Sequence, residues 1–442
     1  MNFEDLTEGQ KNAYTAAIKA IETVPSSSAE KRHLTINGPA GTGKTTLTKF
    51  LIAELIRRGE RGVYLAAPTH QAKKVLSQHA GMEASTIHSL LKINPTTYED
   101  STTFEQKDVP DMSECRVLIC DEASMYDLKL FQILMSSIPL CCTVIALGDI
   151  AQIRPVEPGA FEGQVSPFFT YEKFEQVSLT EVMRSNAPII DVATSIRTGN
   201  WIYENVIDGA GVHNLTSERS VKSFMEKYFS IVKTPEDLFE NRLLAFTNKS
   251  VDDLNKIVRK KIYNTLEPFI DGEVLVMQEP LIKSYTYEGK KVSEIVFNNG
   301  EMVKVLCCSQ TSDEISVRGC STKYMVRYWQ LDLQSLDDPD LTGSINVIVD
   351  EAEINKLNLV LGKSAEQFKS GAVKAAWADW WKLKRNFHKV KALPCSTIHK
   401  SQGTSVDNVF LYTPCIHKAD SQLAQQLLYV GATRARHNVY YI

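Results

Sequence analysis

Short apolar runs alternate with amphipathic stretches through the first 180 residues. His33-Leu34-Thr35-Ile36, Gly62 to Ala67, Arg116 to Cys120 and Thr143 to Leu147 read as β-strands, each ending in polar or glycine residues. Helical patterns lie between them. Leu47, Phe50, Leu51 and Leu55 recur at the spacing of one helix face. This alternation predicts a parallel sheet with helices on both faces. Ligands of such sheets bind outside the carboxyl ends of the strands, so four loops point at one crevice.

The pattern changes further along. From about Phe269 to about Val349 the runs are short and β-like, with turn signals such as Asn298-Asn299-Gly300. They predict a small antiparallel barrel or sheet. Ala352 to Val390 is helical and carries Trp377, Trp380 and Trp381, which are expected to pack a helix against a neighbouring domain. Arg242 to Phe246, Val409 to Tyr412 and Val439 to Ile442 then read as strands of a second sheet. The expected fold is α/β. A first P-loop-type domain spans residues 1–180, and a second is split into 181–268 and 391–442 by a barrel-like and helical insertion at 269–390.

Composition narrows the classes. The chain has 442 residues, enough for several domains, with 43% hydrophobic and 23% charged residues, as in soluble globular proteins. No apolar run is long enough to span a membrane, and Met1 to Gln10 is polar and acidic, unlike a signal peptide. The net charge of -4 gives no whole-molecule pull on nucleic acid. Any such binding must come from a local track of donors. Nine cysteines show no zinc spacing and include the adjacent pairs Cys141-Cys142 and Cys307-Cys308. They read as reduced thiols of a cytoplasmic protein.

The chemistry sits at the strand ends. Gly38-Pro39-Ala40-Gly41-Thr42-Gly43-Lys44-Thr45, followed by Thr46, fits the phosphate-binding pattern G-x-x-x-x-G-K-[ST] between a β run and an amphipathic helix. Its glycines let backbone N–H groups surround phosphate oxygens, and the helix adds its positive end. Lys44 would bridge the β and γ phosphates of ATP, and the Thr45 hydroxyl would bind Mg²⁺. Asp121 and Glu122 end the third run. Asp121 would hold the metal and Glu122 would take a proton from the attacking water, a pairing that favours hydrolysis over simple binding. Gln152, after the fourth run, is placed to orient that water.

At this point the ordered set of motifs resembles superfamily 1 DNA helicases, and more closely the Dda-type helicases of T-even phages, related to the RecD and Pif groups. It includes Leu6 to Gln10, the phosphate loop, Ala66 to Ala72, Thr86 to Leu90, Cys120-Asp121-Glu122 and Gly148 to Val156. It continues through Leu179 to Arg184, Ala245 to Asn248, Ser396 to Gly403 and Tyr429 to Arg434. The resemblance covers nearly the whole chain and implies two RecA-like domains. It implies that Gln10 reads adenine and that Arg184 and Arg434 are arginine fingers reaching from the second domain to the γ-phosphate. ATP would then close the cleft and hydrolysis would open it. A nucleic-acid track would use Pro68, Thr69, His70, Thr86 and His88, with Thr247, Asn248, Ser396, Thr397 and His399 in the second domain. Such small donors suit phosphate contacts that ignore sequence. They also suit caps and turns. A wedge hairpin at about 89–112 is implied, with Pro95 or Phe104 touching bases at the fork.

The expected protein is a monomeric, ATP- and Mg²⁺-dependent helicase on single-stranded and fork DNA, moving 5′ to 3′ by analogy. Single-strand-binding, replication or recombination proteins are its expected partners, in the host cytoplasm if the source is a phage. Two other readings use the same residues: a translocase that strips proteins or acts on RNA, and an ATP-gated clamp that binds without moving. Gly431-Ala432 and Ala151 depart from the usual family pattern, and none of the three is a proposed catalytic group.

Overall fold

A computed structural model describes residues 3–23, 32–97, 102–106, 109–155, 163–182, 187–216, 220–287 and 290–442. The expected strands of the first domain are present: β1 (His33–Asn37), β2 (Val63–Ala67), β6 (Val117–Cys120) and β7 (Thr143–Gly148). They form the centre of a six-stranded parallel sheet of order β3-β2-β6-β7-β1-β8. Its edges, β3 (Ser85–Thr86) and β8 (Phe174–Ser178), carry no apolar run in the sequence, the first being two residues long and the second largely polar. Central strands of such a sheet are buried on both faces, so apolar residues run continuously along them. Val117, Ile119, Ile145 and Leu147 pack into one core layer, while Leu118, Cys120, Val144 and Ala146 pack into the other.

Helices cover this sheet. α1 (Glu8–Glu22) starts at a capping box in which the Thr7 side chain accepts from Gln10 N and the Gln10 side chain accepts from Thr7 N. α2 (Lys44–Arg57) buries Leu47, Leu51, Ile52 and Leu55, whereas Phe50 is half-buried. α3 (His70–Ala80), α4 (Ile87–Leu90) and α5 (Leu128–Ser137) complete the lobe. A hairpin of β4 (Ile93–Thr97) and β5 (Thr102–Gln106) follows α4, with Pro95 directly opposite Phe104.

The second sheet has the order β19-β11-β20-β21-β10-β9. β11 (Asn241–Ala245), β20 (Val406–Leu411) and β21 (Ala435–Tyr441) match the expected runs. β9 (Asn205–Ile207), β10 (Ala210–Asn214) and β19 (Cys395–Thr397) are additional. Strands β11, β20, β21 and β10 pair in parallel, and β9 is antiparallel to β10. α6 (Ala187–Arg197), α7 (Ser220–Ile231) and α11 (Ser421–Ala432) belong to this half, and α8 (Asn248–Ile262) starts in it and continues into the other compact unit. Both parallel sheets lie in one compact unit, Met1–Lys233, Glu240–Val251 and Ser396–Ile442. This is the two-lobed RecA-like α/β fold.

The other unit comprises Thr234–Phe239 and Asp252–Cys395. Its main sheet is antiparallel and orders β12 (Val274–Met277), β15 (Met302–Ser316), β16 (Lys323–Ser335), β17 (Thr342–Val347) and β18 (Val390–Ala392) as β17-β16-β15-β12-β18. A separate hairpin pairs β13 (Leu281–Tyr287) with β14 (Lys290–Phe297), and the expected turn follows it, with Gly300 at φ 83°. α9 (Glu351–Lys369) and α10 (Trp377–Lys384) pack on each other. Trp380 is buried there, and its Nε1 donates to Leu361 O at 2.8 Å. This indole therefore closes the unit's own helical layer. Among the described residues no helix is long and apolar enough to cross a membrane. All nine cysteines are free thiols.

Candidate active site and nucleic-acid track

The phosphate loop leaves β1 and curls into α2. Gly43 caps α2 at φ 76°, and a Cβ there would lie 2.3 Å from Gln10 Nε2. Only glycine allows both the left-handed backbone and that approach. Gln10 is buried, and its carboxamide is used at both ends. Oε1 accepts from Thr7 N at 3.0 Å, and Nε2 donates to Thr42 O at 3.0 Å. Thr42 Oγ1 donates to Pro39 O at 2.9 Å, and Gly38 N donates to Gly148 O of β7 at 2.9 Å. Lys44 Nζ donates to Gly38 O at 2.6 Å and to Pro39 O at 3.1 Å. Thr45 and Thr46 are half-buried in the first turn of α2.

Burial pushes the Lys44 ammonium below its usual range, while Asp149, Glu122 and Asp121 oppose that shift and Arg434 adds to it. These five charges therefore share one locus, drawn from both sheets. Burial first, and then the neighbouring Glu122 charge, pushes the Asp121 carboxyl up; the Glu122 backbone N–H and Lys44 pull it back. Glu122 N donates to Asp121 Oδ1 at 2.9 Å. Glu122 itself is held at φ 48°, ψ 47°. This left-handed conformation is costly for a residue with a Cβ, and such strain clusters at functional sites. Gln152 is buried beside them; its Oε1 accepts from Ser124 Oγ and from Gln402 Nε2, each at 3.4 Å.

Oxygen donors at Thr45 and Asp121 suit a hard cation such as Mg²⁺, which keeps most of its waters and takes few protein ligands. Among the described residues there is no cluster of three or more side chains that would hold a metal by itself. The fit is thus to an ion that a nucleotide brings with it.

Arg434 follows α11 and is buried. Its guanidinium donates to Val430 O, Thr404 O and Thr433 Oγ1 at 3.1, 3.3 and 3.1 Å. Arg184 lies outside the described residues. Four residues absent from the expected site join it. Asp149 is fully buried, and its carboxylate accepts from Tyr429 Oη at 2.5 Å and pairs with Arg197 Nη1 at 3.2 Å. Tyr429 Oη also accepts from Ala40 N at 3.1 Å, and Gln402 meets Gln152. The sequence carries a signal for three of them, since Asp149, Gln402 and Tyr429 lie inside the motifs Gly148 to Val156, Ser396 to Gly403 and Tyr429 to Arg434, whereas Arg197 lies in none. A small cavity lined by Pro39, Ala40, Val182, Ile189, Arg197 and Tyr429 adjoins the loop.

The track residues stand largely at helix starts. Thr69 caps α3 and accepts from Ala72 N at 3.1 Å; Thr86 caps α4 and accepts from Ser89 N at 3.2 Å. A capping hydroxyl uses an oxygen lone pair and keeps its O–H hydrogen to donate. Pro68 ends β2, and His70 opens α3. Burial lowers the His88 pKa, as it does for His399. In the second lobe Thr247 accepts from Ser250 N at 3.2 Å, Asn248 opens α8, and Ser396 and Thr397 lie in β19. His399 stacks on Phe246 with ring centroids 6.0 Å apart. The side chains of Pro95 and Phe104 lie outside the described set; only the pairing of their strands is defined.

Because the charges that surround Lys44 come from two parallel-sheet lobes, the fold and site define a two-lobed P-loop motor ATPase. Within that class, the chain belongs to the Dda family of DNA helicases. It is 57% identical over 445 residues to the ATP-dependent DNA helicase dda of Enterobacteria phage T4, with 100% of both chains covered. Residues 266–392 match the Dda helicase SH3 domain, 6–217 an AAA domain and 393–442 the UvrD-like helicase C-terminal domain. The ATP-dependent RecD2 DNA helicase of Deinococcus radiodurans is 31% identical over 176 residues, covering 39% of this chain and 22% of that protein. The crystal structure of Pif1 helicase from Candida albicans aligns at 16% identity and a TM-score of 0.48, covering 99% of this chain and 94% of that one.

Proposed function

We propose that this protein is an ATP-dependent DNA helicase that moves 5′ to 3′ along single-stranded DNA and opens the duplex ahead of it. The observation that carries the reading is that the second lobe bonds onto the nucleotide loops of the first: Tyr429 Oη meets Ala40 N and the Asp149 carboxylate, and Gln402 Nε2 meets Gln152 Oε1. A site assembled from two lobes changes when the lobes move, so hydrolysis and movement are one event. The full-length likeness to the phage T4 helicase supports DNA as the track.

In this reading Gly38 to Thr46 wrap the phosphates, Lys44 meets the β and γ groups, and Gln10 faces adenine. Thr45 and Asp121 hold Mg²⁺, which when bound neutralises phosphate charge. Glu122 removes a proton from the attacking water that Gln152 orients. Arg434 and Arg184 balance charge that develops on the γ-phosphate, a role worth roughly 10³–10⁵ in rate. Pro68, Thr69, His70, Thr86, His88, Thr247, Asn248, Ser396, Thr397 and His399 hold the strand, and Pro95 or Phe104 meets the fork. Residues 1–180 form the first motor domain, 181–268 with 391–442 the second, and 269–390 the insertion. The protein works as a monomer in the cytoplasm, that of the host if a phage encodes it, alongside single-strand-binding, replication or recombination proteins.

The test is unwinding of a short DNA duplex with a single-stranded tail on either the 5′ or the 3′ side, with ATP and Mg²⁺. Unwinding with the 5′ tail alone is expected. Unwinding with the 3′ tail alone would overturn the direction. No unwinding with either, while DNA still stimulates hydrolysis, would favour the protein-stripping translocase.

A further inference from the structure

The Tyr429 hydroxyl has one hydrogen to give and two lone pairs to fill, and all three are used. It donates to Asp149 Oδ2 at 2.5 Å, accepts from Ala40 N at 3.1 Å and accepts from Arg197 Nη1 at 3.4 Å. Tyr429 and Arg197 come from α11 and α6 of the second lobe; Ala40 and Asp149 belong to the first. Arg197 also lies over the Tyr429 ring, 5.5 Å from its centroid, and pairs directly with Asp149. A ring filling space would need none of these bonds.

Asp149 is the root of the loop that carries Gln152. Its side chain accepts from Ala151 N at 3.0 Å, and its carbonyl accepts from Gln152 N at 3.0 Å. A pull on the Asp149 carboxylate therefore turns the peptide that aims Gln152. A pull on Ala40 N moves the phosphate loop two residues after Gly38. We infer that Tyr429 is a positioning residue for ATP hydrolysis: its hydroxyl, backed by Arg197, couples the second lobe at once to the phosphate loop and to the Gln152 loop. The inference rests on the ATPase reading above. Burial and the Asp149 charge push the phenol pKa upward, so the hydroxyl remains a donor at neutral pH.

The test compares Tyr429→Phe, Arg197→Gln, Asp149→Asn and the Tyr429→Phe/Asp149→Asn double variant with wild type as full chains. The readouts are thermal unfolding, Kd for a fluorescent ATP analogue, and kcat and KM for ATP with saturating single-stranded DNA. The Phe variant keeps the ring and loses only the bonds. Its kcat is expected to fall about tenfold to a hundredfold, the scale of one hydrogen bond to a charged group, with Kd and KM within about twofold. The double variant is expected to be no slower than the slower single variant, because groups acting as one unit are not additive. Wild-type kcat in Tyr429→Phe, a loss matched by the unfolded fraction, or multiplying effects in the double variant would each overturn the inference. A wild-type chain that binds DNA yet never hydrolyses ATP would instead overturn the reading of the site itself.

Discussion

Gln10 offers the sharpest separation of two roles by substitution. Its Oε1 completes the α1 capping box through Thr7 N, and its Nε2 holds the loop through Thr42 O, both at 3.0 Å in a side chain only 3% exposed. Gln10→Ala removes both. The Thr7 hydroxyl still caps through the residue-10 N–H, so the lost half of the box is one hydrogen bond, about 1 kcal/mol, and stranding the buried Thr42 carbonyl costs about 1–3 kcal/mol. The first lobe should therefore lose roughly 2–4 kcal/mol of stability. Gln10→Glu keeps an acceptor for Thr7 N but turns the donor facing Thr42 O into an oxygen. The cap then survives while the loop contact becomes repulsive, so the stability loss is smaller and the damage falls on nucleotide binding. A carboxamide has four hydrogen-bonding positions; because Nε2 also donates to Gly43 O at 3.4 Å, three are spent here, and one acceptor lone pair is left for an adenine edge. Thermal unfolding and ATP and GTP steady-state kinetics on both variants separate these effects. Gln10→Glu should raise KM for ATP at least about tenfold, equivalent to about 1.4 kcal/mol, and both variants should lose preference for ATP over GTP. An unchanged KM in Gln10→Glu would refute the loop-holding role, and an unchanged preference in both would refute the adenine role.

Glu122→Gln should retain ATP binding and lose at least about a hundredfold in single-turnover hydrolysis, the usual scale of a general base; a loss under about tenfold would remove it from that role. His33 Nδ1 accepts from Val144 N at 3.0 Å, and burial lowers its pKa to about 4. The folded value lies below the unfolded 6.5, so this contribution is complete above pH 6.5 and lost as pH falls towards 4. Unfolding curves across that window should show up to about 3 kcal/mol of pH-dependent loss that His33→Leu lacks; equal slopes in the two proteins would contradict the assignment. In the second unit Arg259 grips the buried Glu273 through Nε and Nη2 at 2.6 and 2.8 Å. Arg259→Met leaves a buried carboxylate unpaired, and urea denaturation should register about 3–5 kcal/mol of lost stability; less than about 1 kcal/mol would mean that water reaches Glu273.

The central strands of the first sheet were legible because both of their faces are buried, so Val117 to Cys120 and Thr143 to Leu147 carry unbroken apolar runs. The loop chemistry was legible because Lys44, Asp121, Glu122 and Gln152 follow such runs directly. β8 was not, since Glu175, Gln176 and Ser178 of this edge strand are polar and exposed. β10 carries a glycine and a histidine about one buried valine, too faint a pattern for a strand. The dual engagement of Gln10 was hidden for another reason. Its partner Thr42 is 32 residues away, and only the curl of the loop brings them together. Asp149 and Tyr429 are 280 residues apart, and no local pattern can announce a hydrogen bond of that span.

β21 lies between β20 and β10, and Gly211 N donates to Asn438 Oδ1 across 227 residues of sequence. During synthesis this separation becomes a waiting time. At ribosomal speeds of about 5–20 residues per second, β10 is exposed for roughly 10–45 s before its neighbour is made. Throughout that interval it presents an open parallel edge, the kind of surface that invites wrong partners. The β-rich unit is translated inside the same interval and can fold first, since the hairpins β13–β14, β15–β16 and β16–β17 pair strands that are neighbours in sequence. The second motor lobe therefore closes only after the β-rich unit has been made, when residues 435–441 arrive to fill the gap between β20 and β10.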